Sequence, residues 1–248
     1  MDSDFLASSS TNPRSTPFVT PPPGETEAWN RIWARKSPLD SIVEWGRRRY
    51  NRFFWNRLSR YCSMESSFLE IGSGSGSFVL ETAAHVKKST GIDPSAVAVE
   101  HGRAVAKAEN VPNAFFEVAN SESLPFCDDS FDVVWSQGVL QEFADPVECL
   151  REQFRVCRPG GVVLASVAAK GGYIWYWFKA TRWSLLRPFW PWTDHPFFTP
   201  AQMEEMGTAV GGAVKAHRFG FLNELVLLEI RKLIGYANRP IATAVNPP

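Results

Sequence analysis

Cysteines are scarce in this sequence: there are four in 248 residues, and no two of them form a Cys-x-x-Cys pair. The spacing excludes a zinc knuckle and a disulfide framework, so we expect no metal site. We interpret the four as buried thiols of a reducing compartment: Cys62, Cys127, Cys149 and Cys157.

Long hydrophobic runs are also missing. The longest uncharged apolar stretch, residues 160–169, has ten residues, whereas a bilayer-spanning helix needs about 20. The first residues, MDSDFLASSS, are acidic and lack the basic and then apolar pattern of a secretory signal. We therefore expect a cytoplasmic protein, and peripheral contact with a membrane surface remains open.

Net charge is absent, because 26 Lys and Arg balance 26 Asp and Glu. This balance argues against nucleic acid as a partner. The charges are nevertheless segregated: residues 29–63 hold nine basic and two acidic residues, and residues 64–170 hold eight basic and fifteen acidic ones. Nine of the ten Trp lie in 29–63 and 171–200. The sequence therefore predicts an acidic core with two aromatic, basic attachments.

The composition divides the chain into segments. Residues 1–28 hold five Pro and nine Ser or Thr, which is typical of a disordered tail. Residues 29–63 form a basic helical cap, with a helix predicted from Leu39 to Tyr61 because Tyr50, Phe54 and Leu58 share one side. Residues 64–235 form the main domain with an aromatic insertion at 171–198. Residues 236–248 are predicted to be a flexible tail.

The main domain alternates strand and helix signals. Short apolar runs at 67–71, 90–93, 114–119, 131–136 and 162–168 are separated by helical patterns. Alternation of this kind predicts βαβ units and a parallel sheet. A helix at 200–210 and two final strands, at 215–221 and 224–233, are predicted after the insertion, and a helix is the alternative for the last segment.

A glycine-rich loop, Glu70-Ile-Gly72-Ser-Gly74-Ser-Gly76, follows the first strand and opens a helix. Glycines let the backbone turn sharply and let a ligand approach it, and helix N–H groups favour an anion. The dinucleotide fingerprint needs Gly or Ala at the sixth position, where this chain has Ser77. The spacing therefore disfavours a nicotinamide cofactor, and a simple tight turn is the alternative.

Polar residues follow the next strands. Asp93 ends the second strand, 21 residues after Gly72, where a carboxylate can accept hydrogen bonds from ribose hydroxyls. An Asp-Pro turn or helix cap is the alternative. Asn120 and Ser121 follow the third strand and can read an adenine edge. All lie at carboxyl ends of strands, where open α/β sheets bind ligands.

The strings FLEIGSGSG, GIDPS, NSESLPFCDDSFDVVWSQGVL and RVCRPGG together resemble class I S-adenosylmethionine-dependent methyltransferases. They are most similar to the small-molecule set that includes quinone and menaquinone C-methyltransferases. The resemblance covers residues 65–170 well and 199–232 weakly. It implies an α/β, three-layer Rossmann-like fold with a seven-stranded, mostly parallel sheet, preceded by the helical cap and carrying the aromatic lid. We expect the helix at 39–61 to cover the edge of the cofactor site.

The resemblance also implies roles by position. The glycine loop would surround the methionyl part of S-adenosylmethionine, Asp93 would hold the ribose, and Gln137 would lie near the methionyl amine. Asn120 stands where the family usually has Asp. Relatives often have His-His where this chain has Gln141-Glu142, so a base at that place is not available. The implied cofactor-binding residues are Glu70, Gly72, Ser73, Gly74, Gly76, Asp93, Asn120, Ser121, Ser136 and Gln137.

The acceptor site is expected in the segment 173–192, of which nine residues are aromatic. It follows the fifth strand, where the family places substrate-specific insertions, and packing against the tryptophans of the cap is the alternative. The expected substrate residues are Tyr173, Trp175, Trp177 and Trp183. His195, with Asp194 beside it, is the candidate base, and a loop turn before Pro196 is its alternative.

The sequence thus predicts an enzyme that transfers a methyl group from S-adenosylmethionine to a small, hydrophobic or lipid-like acceptor. A non-catalytic cofactor-binding protein or membrane adaptor of the same fold is the alternative. Base methylation of nucleic acid is disfavoured, because the loop after the fourth strand reads Ser-Gln-Gly-Val where such enzymes resemble one another through Asp/Asn-Pro-Pro-aromatic.

Overall fold

The computed structural model describes residues 23–34, 40–182, 196–220 and 222–235. The α-helices are α1 (Pro23–Ala34), α2 (Asp40–Leu58), α3 (Ser77–Ala83), α4 (Ala96–Ala108), α5 (Pro146–Val156), α6 (Tyr173–Arg182) and α7 (Pro200–Val210). The strands are β1 (Ser67–Ile71), β2 (Lys88–Asp93), β3 (Ala114–Val118), β4 (Phe131–Gln137), β5 (Cys157–Ala168), β6 (Ala213–Phe219) and β7 (Leu225–Arg231).

The strands form one seven-stranded sheet in the order β3-β2-β1-β4-β5-β7-β6. The first five in this order pair in parallel, and β7 pairs antiparallel with both β5 and β6. The strand order reverses between β1 and β4, and this topological switch is where doubly wound sheets bind ligands. The seven-stranded, mostly parallel sheet predicted from the family resemblance is confirmed.

Each face of the sheet is covered because the strands of parallel sheets are apolar on both faces. On one face α5 and α7 enclose a core that includes Leu69, Val134 and Leu150. On the other face α2 closes over Phe68 and Trp135. The result is three layers.

The basic cap forms the predicted helix. α2 ends at Leu58 and continues as a 3-10 turn to Tyr61. Phe54 and Leu58 are 1% and 0% exposed, and the Phe54 ring lies 5.0 Å from that of Trp135. The predicted apolar side of this helix therefore faces the sheet.

The chain is helical earlier than the sequence analysis predicted. α1 begins at Pro23, so residues 23–28, which we assigned to the disordered tail, form its first turns. Residues 1–22 and the predicted flexible tail at 236–248 lie outside the described residues. Within the described ranges, no helix is both long and apolar enough to cross a bilayer.

The interpretation of all four cysteines as buried is wrong for one of them. Cys149 and Cys157 are buried, Cys62 is half-buried, and Cys127 is exposed. Cys127 lies in the turn before β4, where its carbonyl accepts a hydrogen bond from the Ser130 hydroxyl at 2.7 Å.

Candidate functional site

A cavity of about 390 Å³ opens at the carboxyl ends of β1, β2, β3 and β4. Four loops and helix α1 contribute its wall, and the loops are those that follow the four strands. The lining residues are Thr26, Trp29, Trp33, Ile71, Gly72, Gly74, Ile92, Asp93, Pro94, Ala119, Asn120, Ser121, Glu122, Gln137, Gly138, Val139, Glu142, Phe143 and Ala144.

Beside β1, the glycine loop contributes Gly72 and Gly74 to the wall of the cavity, so that backbone atoms face the ligand there. Gly72 and Gly74 have φ of +70° and +52°, a region that disfavours side chains. A Cβ on Gly72 would lie 2.6 Å from a Val139 methyl, and one on Gly74 would lie 2.6 Å from the Trp33 ring. Both positions therefore require glycine, for conformation and for space.

Asp93 is fixed at the end of β2. Its side chain is 6% exposed and accepts hydrogen bonds from the backbone N–H groups of Gly74 and Ser95, each at 2.9 Å. Burial raises the pKa of Asp93, and the two hydrogen bonds oppose that rise. The bond to Ser95 is the turn that we considered as the alternative, and the bond to Gly74 ties the same carboxylate to the glycine loop.

Asn120 and Ser121 line the cavity after β3 and are 7% and 6% exposed. The Asn120 side-chain oxygen accepts a hydrogen bond from the Glu122 backbone N–H at 3.1 Å. The amide therefore shapes its own turn, and its NH2 group can donate to a ligand. Gln137 lies in the wall beside β4.

Helix α1 closes the cavity, which the sequence analysis missed. Thr26, Trp29 and Trp33 line it, and the Ser95 hydroxyl donates to the Asn30 side-chain oxygen at 2.6 Å. The spacing of Trp29 and Trp33 could have indicated this role, because residues four apart lie on the same side of a helix.

The predicted helix at 39–61 was expected to cover the edge of this site, and the described part of α2 does not do so. Among the α2 residues whose side chains the structure describes, none lines the cavity, because the apolar side of this part of the helix packs against the sheet. The Asn51 amide links α2 to the end of the glycine loop, because it donates to the Ser77 hydroxyl at 3.1 Å.

Two predicted cofactor residues of the first loop lie behind the wall. Glu70 is 5% exposed and follows Leu69 in β1, so it shares the α2 face of the sheet with Phe68. Ser73 is 7% exposed, and its backbone N–H donates to the Ile92 carbonyl at 2.8 Å. These two residues support the loop and do not reach the cavity.

Gly76 and Ser136 also lie outside the wall. A Cβ on Gly76 would lie 2.5 Å from the Phe116 ring of β3 and 3.3 Å from the Gly102 Cα of α4, so this glycine lets the start of α3 pack closely against both. The Ser136 hydroxyl donates to the Gln153 side-chain oxygen at 3.1 Å on the α5 face. The predicted residues that the structure brings to the cavity are therefore Gly72, Gly74, Asp93, Asn120, Ser121 and Gln137.

The structure does not bring the predicted acceptor and base residues to the cavity in the part of the chain that it describes. His195, Asp194 and Trp183 lie outside the described residues. Tyr173, Trp175 and Trp177 lie on α6. Tyr173 and Trp175 do not line the cavity, and the side chain of Trp177 is outside what the structure describes. In the described ranges, no group of three or more His, Cys, Asp and Glu is placed to hold a metal ion.

The exposed part of α6 carries aromatic rings and a cation. Tyr173 is 51% exposed and Tyr176 is 61% exposed. The Lys179 ammonium lies 4.0 Å from the centre of the Trp175 ring. This arrangement is typical of a surface that meets an apolar or interfacial partner.

Comparison with known proteins gives one family match, a methyltransferase domain over residues 69–165. The uncharacterized methyltransferase YcgJ of Bacillus subtilis is 34% identical over 100 residues, 40% of each chain. The ubiquinone/menaquinone biosynthesis C-methyltransferase UbiE of Geotalea daltonii is 32% identical over 142 residues, 56% of this chain and 60% of that one. The alignments thus span 40% and 60% of the length of these two relatives.

Solved structures share the fold. The crystal structure of YcgJ has a TM-score of 0.59 at 19% identity and covers 74% of this chain and 99% of its own. Magnesium protoporphyrin IX methyltransferase from Synechocystis, solved with bound SAH, has a TM-score of 0.61 at 15% identity. The match covers 84% of this chain and 95% of that one.

The residues at the cavity fit S-adenosylmethionine. The fixed carboxylate of Asp93 offers acceptors for a ribose diol, and the glycines leave room for a ligand against the backbone. Glu122 and Glu142 add carboxylates to the wall, which suits a ligand with a sulfonium and an ammonium. Residues 69–165 therefore match a methyltransferase domain, and the cavity at their strand ends offers the contacts that S-adenosylmethionine needs.

Proposed function

We propose that the protein transfers a methyl group from S-adenosylmethionine to a small, hydrophobic or lipid-like acceptor. The observation that carries this proposal is the Asp93 carboxylate, buried at the cavity and hydrogen-bonded to the glycine loop. A carboxylate tied to both the loop and the start of α4 has a fixed position. It can bind the ribose without the entropy cost of ordering a side chain.

The cofactor, when bound, supplies a methyl group on a positively charged sulfur. The chain has to align the acceptor with that methyl group and to exclude water. Trp29 and Trp33 cover the cavity from α1, and Phe143 closes it after β4. These apolar walls limit the entry of water beside the cofactor.

Three observations support a hydrophobic acceptor. The Geotalea relative and a relative from Roseiflexus, a demethylmenaquinone methyltransferase that is 27% identical over 162 residues, act on quinones by name. Helix α6 follows β5 and presents Tyr173 and Tyr176 to solvent. Helix α6, which carries these rings, follows β5. Strand β5 lies next to β4 in the sheet, and β4 contributes Gln137 to the cavity.

Calorimetry with S-adenosylmethionine, its demethylated product and NAD tests the cofactor. We expect the first two to bind and NAD to bind more weakly or not at all. Labelled cofactor with a panel of quinol, phenol, lipid and amine acceptors then tests transfer. Tighter binding of NAD than of S-adenosylmethionine, or no binding of either, would contradict the proposal.

Peripheral contact with a membrane is the second part of the proposal. Trp45 of α2 is 67% exposed, and Arg49 and Arg52 of the same helix are exposed, as are Tyr173 and Tyr176 of α6. Tryptophan, tyrosine and arginine suit the headgroup region of an anionic bilayer. Failure to sediment with anionic liposomes at low salt would remove this part and leave methyl transfer intact.

A further inference from the structure

One side of helix α1 carries four side chains that meet the cofactor cavity or the turn beside it. They are Thr26, Trp29, Asn30 and Trp33, and their spacing of i, i+3, i+4 and i+7 defines one side of a helix. Thr26, Trp29 and Trp33 line the cavity. Asn30 accepts a hydrogen bond from the Ser95 hydroxyl at 2.6 Å. This side of α1 therefore faces the site along its whole length.

The Thr26 hydroxyl is a buried polar group without a partner in the part of the chain that the structure describes. Its oxygen is shielded from solvent and makes no hydrogen bond there, although the residue lines the cavity. Buried side-chain hydroxyls are almost always hydrogen-bonded, because an unpaired one costs free energy. A ligand in the cavity can supply the missing partner, since a hydroxyl both donates and accepts.

The contacts of α1 indicate which strand end Thr26 faces. Trp33 occupies the space beside Gly74, which follows β1, and Asn30 contacts Ser95, which follows β2. The sheet continues in the same direction to β3. From Trp33 to Thr26 the helix rises about 10 Å, and the two strand spacings from β1 to β3 also measure about 10 Å. Thr26 therefore lies towards the end of β3.

The loop after β3 supplies the other groups at this end of the cavity. Asn120 and Ser121 line the wall there and are buried, and the Asn120 NH2 group can donate to a ligand. Trp29, which is three residues after Thr26, offers an indole ring on which a nucleobase can stack. A hydroxyl, an amide and an aromatic ring around one space suit the recognition of a flat, polar heterocycle.

We propose that Thr26 is a specificity-determining residue of the cofactor site, and that its hydroxyl hydrogen-bonds the edge of the adenine ring. This inference rests on the proposed function, which requires S-adenosylmethionine in the cavity. The hydrogen bond between Ser95 and Asn30 holds α1 at the height where Thr26 reaches the base. Asn30 is thus a positioning residue, and the base is read from two sides, by α1 and by the loop after β3.

Calorimetry with S-adenosylhomocysteine tests the contact without turnover. Thr26→Val keeps the shape of the side chain and removes the hydroxyl, and we expect it to weaken binding about tenfold, as for a hydrogen bond lost at a buried group. Thr26→Ser keeps a hydroxyl and should bind nearly as tightly as wild type. Thr208→Val is the matched control and should bind as wild type does, because the Thr208 hydroxyl of α7 donates to the Glu204 carbonyl at 2.7 Å, away from the cavity.

Analogues of the purine distinguish recognition of the base from a general effect on the site. S-Inosylhomocysteine carries a carbonyl where adenine carries its amino group, and deaza analogues have C–H in place of one ring nitrogen. We expect at least one analogue to bind wild type more weakly than S-adenosylhomocysteine, by a factor that shrinks in Thr26→Val. Asn30→Ala, which frees α1 from Ser95, should reduce the same factor, whereas Thr208→Val should retain it.

The outcomes separate the inference from the proposed function. Equal affinity of Thr26→Val and wild type, or unchanged selectivity against every analogue, would overturn the contact with adenine. A higher KM for the methyl acceptor at unchanged affinity for S-adenosylhomocysteine would also overturn it, because the hydroxyl would then face the acceptor. A partial loss of stability in Thr26→Val weakens binding of all analogues alike, so the selectivity factor still decides. No binding of S-adenosylhomocysteine by folded wild type would overturn the proposed function as well.

Discussion

At the scale of single residues, Asp93 combines a structural and a binding role. Its carboxylate accepts two buried backbone N–H bonds, and removing it leaves both donors unpaired. We predict that Asp93→Ala weakens S-adenosylmethionine binding by about 1–3 kcal/mol and lowers the free energy of unfolding by a similar amount. Asp93→Asn, which keeps one acceptor oxygen, should lose less of each. Calorimetry and urea unfolding measure the two effects.

A surface carboxylate provides the control for Asp93. Glu100 lies on α4 and pairs with Arg103 at the surface, and exposed pairs contribute about 1 kcal/mol or less. Glu100→Ala should leave cofactor affinity unchanged. If Asp93→Ala bound the cofactor as tightly as Glu100→Ala, the assignment of Asp93 to the ribose would be wrong.

His217 of β6 makes stability depend on pH. Its Nδ1 is buried without a hydrogen-bond partner among the described residues. Burial lowers the pKa of His217 below 6.5, and the charges of Arg57 and Lys215 lower it further. The folded state therefore binds this proton less tightly than the unfolded state, so stability should fall as the pH drops below about 6.5.

The substitution His217→Gln should flatten this dependence. We expect the free energy of unfolding to change less between about pH 7.5 and pH 5.5 in His217→Gln than in the wild type. His101→Gln, at an exposed position of α4, is the matched control and should keep the wild-type slope. If the free energy of unfolding changed with pH as much in His217→Gln as in the wild type, other groups would be responsible for the pH dependence of stability.

At the scale of elements, α1 and the glycine loop are coupled by one contact. The Trp33 ring occupies the space that a side chain on Gly74 would need. We predict that Gly74→Ala displaces Trp33 and weakens cofactor binding at least tenfold, through this clash and the positive φ. Trp33→Ala should weaken binding as well, because it uncovers the cavity.

A double-mutant cycle measures the coupling. In Trp33→Ala with Gly74→Ala the clash is absent, so the double variant should bind the cofactor more tightly than the sum of the two single losses predicts. Calorimetry of the four proteins gives the coupling energy. Strict additivity would mean that Trp33 does not rest on the loop.

The contrast between α1 and α2 explains which elements the sequence could predict. α2 presents Tyr50, Phe54 and Leu58 to the sheet at helical spacing, and such periodicity is readable from sequence. α1 is PGETEAWNRIWA, and its two tryptophans face a ligand cavity rather than the apolar core. Such a helix lacks the apolar stripe that marks a core-facing helix, so its first turns were assigned to a tail.

The site was predictable to the extent that it is local. The glycine loop and Asp93 lie at strand ends, where the topology of a parallel sheet brings them together. Glu70 and Ser136 belong to the same motifs but lie on strand faces turned to α2 and α5, and side-chain direction there depends on which helix covers which face.

At the scale of the whole molecule, the cap and the core carry opposite charge, yet the described contacts between α2 and the sheet are aromatic. Phe54 is 1% exposed and lies within 5.5 Å, between ring centroids, of both Trp135 and Phe219. The Arg48–Glu109 ion pair, in contrast, spans 3.6 Å between side chains that are 52% and 47% exposed. Apolar packing should therefore dominate the attachment of α2.

We predict that Phe54→Ala lowers the free energy of unfolding by about 3–5 kcal/mol, a large share of the 5–15 kcal/mol typical of a domain. Arg48→Ala should cost about 1 kcal/mol or less, and salt should reduce even that small difference because exposed charges are screened. Urea unfolding at low and high salt measures both. If Arg48→Ala cost more than Phe54→Ala at low salt, charge complementarity between cap and core would be the stronger attachment, and α2 would be released from the sheet by salt.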